Sequence, residues 1–379
     1  MDPTLRLLRD LVAIDSVNPS LVPGAAGEAA IARALAEELR GMGLAVEVQE
    51  AAPGRPNVVG TLEGRGPGRS LMYCGHIDTV GVAGMGRPFV PEERDGRLYG
   101  RGSQDMKSGV AAMIGAARVI VESGGLDAGR LVIACVVDEE HASIGADALV
   151  TRWRADAAVV TEPTDLAIAV AHKGFEWIEI ETDGRAAHGS RPRDGRDAIL
   201  RMGRVLGELE RLDRDLQGKP AHPLLGAASL HASLIEGGRE LSSYPDHCTL
   251  QLERRTLPGE RQGSGAREVA AILAELAAED PEFTSRSREL FARAPYEIGA
   301  GHDVPRGLAA AAAAAGCDAP ITGMSFWTDA AVLGDAGIPS VLFGPTGAGL
   351  HGLDEYVETD SVVTCRDVLV EYARTWCRG

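Results

Sequence analysis

Apolar residues recur at helical spacing in several stretches of the chain, and short apolar runs separate these stretches. Spacings of three and four residues predict helices over Leu5–Val12, Glu28–Leu39, Gly109–Glu122 and Ser361–Trp376. Short β-branched or apolar runs predict strands at "LAVEVQE", "NVVGTLEG", "LMYCG", "LVIACVVDEE", "DAAVVTEP" and "AGIPSVLFGP". Helices that alternate with buried strands are typical of an α/β domain, whose mostly parallel sheet is covered by helices on both faces.

The pattern changes near residue 175, where apolar and polar residues begin to alternate. "FEWIEIETDG", "ASLHASLIEGG", "HCTLQLERRTL" and "EFTSRSRELFA" predict half-exposed strands, and Asp197–Leu216 and Ala266–Ala278 predict amphipathic helices. Their order is β-α-β-β-α-β, that of a ferredoxin-like α+β domain. We therefore predict a larger, discontinuous domain of residues 1–174 and 293–379, interrupted by an inserted domain of residues 175–292.

Composition limits the kind of protein this can be. The 379 residues carry a formal net charge of −17, which argues against a nucleic-acid or anionic-membrane partner. The chain has no apolar run of about 18 residues, and "MDPTLRLLRDLVAID" is typical of an amphipathic helix rather than a signal peptide. The six cysteines lack paired spacing, which favours reduced thiols and a cytoplasmic protein.

Histidine and carboxylate side chains stand where the buried strands are predicted to end. The residues concerned are His76 and Asp78 after "LMYC", Glu139 and Glu140 after "LVIACVVD", Glu162 after "AAVVT", and His351 after "PSVLFGP". Asp105 lies in the glycine-rich stretch "GRGSQDMKSG" before a predicted helix. Ligands of open α/β sheets bind beyond the carboxyl ends of the strands, so we expect these side chains to meet at one edge.

Each of these residues alone has an ordinary structural explanation, but several carboxylates crowded at one edge need protons or cations. Two imidazoles with carboxylates and no cysteine favour zinc, with cobalt or manganese able to substitute. Five ligands serve two ions if Asp105 binds both, His76 and Glu162 bind one, and Glu140 and His351 bind the other. Asp78 would then orient the His76 ring as a hydrogen-bond acceptor.

A hydroxide bridging the two ions would be the nucleophile, and the remaining glutamate, Glu139, would be its general base. The residues by themselves do not decide which of Glu139 and Glu140 binds metal. Competing chemistries fit less well: "GRGSQDMKSG" lacks the glycine before lysine that a phosphate-binding loop needs, and no GxSxG motif is present.

The chain resembles the dinuclear-zinc metallohydrolases that include acetylornithine deacetylase, succinyl-diaminopimelate desuccinylase, aminoacylase, glutamate carboxypeptidase and several dipeptidases. The motifs that carry the resemblance are "CGHIDTV", "GRGSQDMKSG", "DEE", "TEP", "HKG", "AAHGSRP", "ERRTLPGE", "AGIPSVLFGP" and "HGLDEYV". The resemblance implies that His76, Asp105, Glu140, Glu162 and His351 bind two zinc ions and that Glu139 is the base. It also implies a lid domain that mediates dimerisation, and a cis peptide between Asp105 and Met106.

Three residues of the inserted domain gain roles from the same resemblance. His188, in "GRAAHGSRP", corresponds to a histidine that polarises the scissile carbonyl, commonly in the partner subunit. Arg255, in "RRTLPGE", corresponds to an arginine that binds the substrate carboxylate, with Arg254 as the alternative. Ser242 stands where relatives often have asparagine, so it is a substrate-binding candidate that departs from the pattern.

The expected function is hydrolysis of the amide of an N-acyl amino acid, of the deacetylase or desuccinylase type. A dipeptidase or carboxypeptidase of the same chemistry is the alternative, and an inactive binding homologue is the alternative from another class. The full set of ligands together with Glu139 argues against an inactive protein. The expected partners are a small-molecule substrate and a second copy of the chain, paired through the lid domain.

Overall fold

The computed structural model describes residues 2–379 of the chain. The helices are α1 (Pro3–Val12), α2 (Ala29–Gly41), α3 (Lys107–Glu122), α4 (Ile144–Arg152), α5 (Ala198–Gly218), α6 (Ser264–Glu279), α7 (Asp303–Ala314), α8 (Ala330–Asp335) and α9 (Thr359–Arg378). The strands are β1 (Ala45–Ala52), β2 (Arg55–Glu63), β3 (Ser70–His76), β4 (Glu92–Arg94), β5 (Arg97–Tyr99), β6 (Arg130–Val136), β7 (Ala157–Val160), β8 (Ile168–His172), β9 (Gly174–Asp183), β10 (Ser229–Gly237), β11 (His247–Thr256), β12 (Thr284–Arg293), β13 (Tyr296–Glu297), β14 (Ile321–Met324), β15 (Ser340–Leu342), β16 (Gly347–Ala348) and β17 (Tyr356–Glu358).

The chain divides into two compact units. The first comprises Met1–Val170, Ile298–Gly323 and Thr328–Gly379, and the second comprises Ala171–Glu297 and Met324–Trp327. The second unit is therefore an insertion in the first, and β8 crosses the boundary between them. In the described part of the chain, no helix has the length and apolar character needed to cross a membrane.

The main sheet has the order β1-β2-β6-β3-β7-β15-β8-β13, with β14 paired to β8. Its four central strands, β6, β3, β7 and β15, are mutually parallel, whereas the pairs on either side of them are antiparallel. The central strands are almost wholly apolar and buried, as strands covered on both faces must be. The predicted α/β fold class is confirmed.

Helices cover both faces of this sheet. Gly60 of β2 faces Leu39 of α2, whereas Asn57, three residues away and so on the other face, hydrogen-bonds to the carbonyl of Gly145 in α4. An ion pair between Arg118 and Glu38 places α3 beside α2. Contacts among α1, α3, α7 and α9 extend that layer, and α8 packs beside α4 on the opposite side.

Helix α3 begins unusually close to the sheet. A Cβ atom on Gly109 would lie 1.8 Å from the carbonyl oxygen of Thr161, so only glycine permits this approach. The contact sets the first turn of α3, which follows Asp105, against the loop that carries Glu162. The small residues of α3 thus allow the close packing that brings the loop of Asp105 next to the loop of Glu162.

The second unit contains an antiparallel sheet of order β10-β11-β9-β12. Helices α5 and α6 cover one face, where Val205, Leu209 and Leu273 pack against Ile178 and Leu250 in a separate hydrophobic core. The order of elements, β9-α5-β10-β11-α6-β12, is the ferredoxin-like arrangement expected from the sequence. We refer to this unit as the lid unit.

Candidate metal centre

Polar side chains lie beyond the carboxyl ends of the parallel strands in the first unit. Strand β3 ends at His76, and the loops after β6 and β7 carry Glu139, Glu140 and Glu162. Neighbouring parallel strands direct these loops to one edge of the sheet. His351 joins them from the segment between β16 and β17, where it adopts a positive φ of 58°.

Asp105 lies between the two imidazole rings. Its Oδ1 atom is 3.0 Å from Nε2 of His76. Its Oδ2 atom is 3.3 Å from Nε2 of His351. The same ring nitrogen of His351 is 3.1 Å from Oε2 of Glu140. Each oxygen of Asp105 therefore faces a different histidine, which suits a carboxylate that binds two cations.

Two groups of potential ligand atoms converge here. His76, Glu139 and Glu162 form one group, and His76, Asp105 and Glu140 form the other, with the ligand atoms of each group within 4.8 Å of one another. Nε2 of His76 is 4.0 Å from Oε1 of Glu162. The structure thus brings together all the residues that the sequence suggested for the metals and the base.

Asp78 is fully buried and contacts two parts of the site. Nδ1 of His76 lies 3.0 Å from the main-chain carbonyl oxygen of Asp78 and 3.5 Å from its carboxylate. The carboxylate accepts the backbone N–H groups of Glu139 and Glu140, at 3.2 and 3.3 Å. Asp78 orients the ring mainly through its carbonyl, therefore, and its carboxylate fixes the turn that carries both glutamates.

The loop before α3 is held by a carboxylate that sequence reasoning missed. Glu355 is buried and accepts backbone N–H groups from Gly102, Gln104 and Asp105, at 3.0, 2.9 and 3.1 Å. Its other partner is the guanidinium of Arg101, at 2.6 Å. The signal that could have identified it was the position of Glu355 in "HGLDEYV", close to His351. The peptide between Asp105 and Met106 is cis, which confirms that prediction.

The crowded carboxylates shift one another's pKa values in the metal-free chain. Burial, together with the charge of Asp105, raises the pKa of Glu140 to about 7. Burial and the neighbouring Glu162 raise the pKa of Glu139 well above its ordinary value. Hydrogen bonds to Asp105 and Glu140 raise the pKa of His351 to about 10. Protons therefore neutralise a site whose negative charge exceeds what its own histidines can balance.

The donor set fits two divalent cations. Two imidazole nitrogens and several carboxylate oxygens converge on one edge, and no cysteine thiol is among the converging groups in the described residues. Such donors suit zinc, cobalt or manganese. In the metal-free chain, protons offset the excess negative charge of the site. Bound cations would neutralise the same charge.

Metal binding is expected to release protons. A cation binds only the deprotonated ligand, so the proton that His351 carries below pH 10, and the one that Glu140 carries below pH 7, must leave. Affinity should accordingly rise with pH from 6 to 9. Titration calorimetry with cobalt in two buffers of different ionisation enthalpy measures the number of protons released. Binding without proton release at pH 7 would contradict this charge assignment.

The remaining candidates lie in the lid unit. His188 is exposed, and its Nδ1 atom accepts the backbone N–H of Ser190 at 3.2 Å. The carbonyl of Ser242 accepts the N–H of Gly189 at 2.7 Å, so the segment with Ser242 pairs with the His188 loop. Arg255 lies on β11, where it pairs with Glu253 at 2.6 Å and lies over the ring of Phe175.

Arg254 has a structural role that its neighbour lacks. Its side chain is only 1% exposed and pairs with Glu260 and Glu268, at 2.8 and 3.0 Å. The side chain of Arg255 is 30% exposed. Alternation along β11 puts the two on opposite faces of the sheet and leaves Arg255 as the guanidinium more accessible to a ligand.

Comparisons with known sequences agree with this chemistry. The model of "Peptidase family M20/M25/M40" matches residues 72–375. Acetylornithine deacetylase of Myxococcus xanthus is 32% identical over 342 residues, which cover 88% of this chain and 87% of that protein. N-formyl-4-amino-5-aminomethyl-2-methylpyrimidine deformylase of Bacillus subtilis is 28% identical over 377 residues, which cover 90% of this chain and 88% of that one.

Solved structures share the fold. A tripeptidase of Staphylococcus aureus has a TM-score of 0.84 at 22% identity, covering 99% of this chain and 98% of its own. A dinuclear metal-binding peptidase of Bacillus subtilis has a TM-score of 0.76 at 15% identity, covering 99% of this chain and 97% of its own. At these identities the similarity establishes the fold alone.

Proposed function

Because the chain belongs to peptidase family M20/M25/M40 and is a hydrolase of amide bonds, we propose that it releases an amino acid from its N-acyl derivative in a metal-dependent reaction. The observation that carries the proposal is Asp105 between His76 and His351, with Glu139 and Glu140 beside them. Acetylornithine deacetylase, 32% identical across most of both chains, supports an N-acyl amino acid as the substrate.

Two zinc-like ions would be held by His76 and Glu162 on one side, by Glu140 and His351 on the other, and by Asp105 on both. Such ions supply a water of lowered pKa and polarise the amide carbonyl. The ligands come from four loops and a strand end, so the site forms only when the first unit is folded. Asp78 holds two parts of it together, the His76 ring and the glutamate turn.

Glu139 is the proposed general base. Burial and a neighbouring carboxylate raise its pKa, and a carboxylate of raised pKa accepts a proton from water readily and returns it to the leaving nitrogen. Glu140 contacts His351 directly, which supports a ligand role for it instead. These different neighbours support the assignment of the two glutamates.

His188 is proposed to donate a hydrogen bond to the oxyanion. Nδ1 of His188 contacts Ser190, at 2.8 Å from its Oγ and 3.2 Å from its backbone N, so these contacts leave Nε2 open to a substrate. The ring can then present Nε2–H to a developing negative charge. Arg255, whose guanidinium is partly exposed, is proposed to bind the substrate carboxylate. Ser242, paired through its backbone with the His188 loop, is proposed to contact the substrate.

The lid unit is proposed to pair with a second copy of the chain. Strand β10 is an edge strand of its sheet, and Leu234, Ile235 and the nearby Leu241 are exposed there. An unpaired edge with apolar side chains favours association with an identical edge.

A substrate panel tests the proposed reaction. The cobalt- or zinc-loaded protein should hydrolyse at least one N-acetyl, N-succinyl or N-formyl amino acid with a higher kcat/KM than any dipeptide of the same amino acid. The release of free amine measures the rate. A clear preference for dipeptides would replace this proposal with the peptidase alternative, and no turnover on either class would favour the inactive binding homologue.

A mixed dimer tests whether His188 acts across subunits. His188→Ala should lower kcat more than it raises KM, because the oxyanion exists only in the transition state. If the histidine serves the partner's site, dimers of His188→Ala and Glu139→Ala chains regain one complete site and measurable activity. If it serves its own chain, one site lacks the histidine, the other lacks the base, and verified mixed dimers stay inactive.

A further inference from the structure

A buried polar network lies behind the glutamate turn, in the first unit. Its centre is Asn18, a side chain with 0% exposure in the segment between α1 and α2. Its backbone is fixed beside the residue after Asp78: Val17 bridges Thr79, and the N–H of Asn18 donates to the carbonyl of Thr79 at 2.9 Å. This pairing sets the amide of Asn18 against the carboxylate of Asp78.

Every hydrogen-bonding position of the Asn18 amide is used. Nδ2 donates to Oδ2 of Asp78 at 2.8 Å and to Oδ1 of Asp138 at 3.1 Å. Oδ1 accepts from Nη2 of Arg55 at 3.1 Å and from the N–H of Ser20 at 2.9 Å. The site requires two donors and two acceptors in a short side chain, and asparagine supplies them. Aspartate would place a third carboxylate there, and alanine would leave two buried carboxylates without this donor.

Both carboxylates that Asn18 bridges control the turn that carries the glutamates. The carboxylate of Asp78 accepts the N–H groups of Glu139 and Glu140. Asp138 begins the turn with a φ of 68°, and its carbonyl accepts the N–H of Ser143 at 2.6 Å. One amide therefore ties the start of the turn to the group that binds its middle.

The positive charge of Arg55 reduces the repulsion between the buried carboxylates of this network. Two carboxylates that share one amide repel each other in a buried site unless a cation is near. Nη1 of Arg55 is 2.6 Å from Asp138, and its Nε is 3.0 Å from Glu28. The guanidinium thus offsets part of the negative charge of Asp138 and Glu28, while the carboxylate of Asp78 accepts hydrogen bonds from the backbone N–H groups of Glu139 and Glu140.

We propose that Asn18 is a positioning residue for the hydrolysis proposed above: its amide fixes Asp78 and Asp138 and so sets the turn that presents Glu139 and Glu140. The inference rests on the proposed function for its catalytic consequence. Its structural content, the order of the turn, can be measured without metal or substrate. Partners that orient such groups typically change affinity or activity by about 10- to 100-fold.

The experiment is a double-mutant cycle of Asn18→Ala, Asp78→Asn and the double variant. We expect Asn18→Ala to lower kcat by about 10- to 100-fold with little change in KM, as for the partners above. In the metal-free protein, hydrogen–deuterium exchange of a peptide spanning 137–145 should become faster. In the Asp78→Asn background, removing Asn18 should add little to either effect, because both act on the same turn.

Gln49→Ala is the matched control. Gln49 is also a buried amide in the first unit, with hydrogen bonds to the carbonyl of Ala148 at 2.8 Å and to Asn57 at 3.2 Å. It should lower the melting temperature while leaving kcat and the exchange at Glu139 and Glu140 unchanged. If Asn18→Ala does not fold, Asn18→Leu keeps a similar shape without adding charge, lacks the amide donors and should show the same losses.

Two results would overturn the inference. One is an Asn18 variant that loses stability yet keeps wild-type kcat and wild-type exchange in the peptide spanning 137–145. The other is full additivity of the Asn18 and Asp78 substitutions. If the wild-type protein hydrolyses none of the panel substrates, the proposed function fails, whereas the exchange measurements still decide whether Asn18 orders the turn.

Discussion

Exhaustive chelation is expected to reduce hydrolysis by about 10⁴-fold or more, since water without a cation keeps its pKa near 15.7 instead of near 7. The side chains of the site cannot replace the ions as activators of water. Without metal, its two histidines and four carboxylates hold only protons and negative charge. Adding zinc or cobalt to the chelated protein should restore the rate in proportion to the metal bound. Elemental analysis and a rate assay on the same samples measure both quantities.

The number of metal ions bound per chain provides the control. Activity should rise with bound metal up to two ions per chain, and Asp105→Ala should lower occupancy at both positions, because its two carboxylate oxygens face different histidines. Full activity after verified removal of metal would refute the dinuclear site. Saturation at one ion would instead require a mononuclear site, with the second group of ligands holding protons.

Substitution of the adjacent glutamates should separate binding from catalysis. Glu139→Gln is expected to retain both metals and to lose about 10²- to 10⁴-fold in kcat, the usual contribution of a general base. Glu140→Gln should lose metal affinity as well, because its carboxylate contacts His351 and belongs to the group that contains Asp105. The two variants are matched controls for each other, since their backbone N–H groups bind the same carboxylate of Asp78.

Metal content and kcat should be measured on both variants at saturating metal. A loss of metal only in Glu139→Gln would mean that the two roles are reversed. Equal losses of metal in both would mean that each glutamate is a ligand, and that the base lies elsewhere. The exchange of the amides near 137–145 should remain as in the wild type, because neither substitution removes a backbone group.

The sequence by itself determined the main strands and helices and indicated which residues could form the site. Apolar runs such as "LMYCG" can be satisfied only in the interior, so the polar residue that follows, His76, had to lie at a sheet edge. The inserted β-α-β-β-α-β order could also be predicted, because apolar and polar residues alternate in its strands and its helices are amphipathic. Family motifs then supplied roles for His188 and Arg255 that no local pattern provides.

Other elements were not predicted because their local signals are weak. Helix α4 has small residues with little contrast between its faces, and β8 is a short apolar run with nothing to distinguish it from a buried loop. Strand β15 was predicted, but it covers only Ser340–Leu342 of the longer apolar run "AGIPSVLFGP". In each case the contacts with the rest of the sheet, rather than the intrinsic preference of the segment, decide its structure.

Only the tertiary structure decided which groups support the site, because hydrogen bonds between distant segments leave no periodic trace. Asn18 and Asp138 are 120 residues apart, and Glu355 binds the loop of Asp105 across 250 residues. The carboxylate of Asp78 also proved to hold the glutamate turn more directly than the His76 ring. A sequence specifies which side chains can donate or accept a hydrogen bond, but the fold chooses the partner by bringing one within about 3 Å.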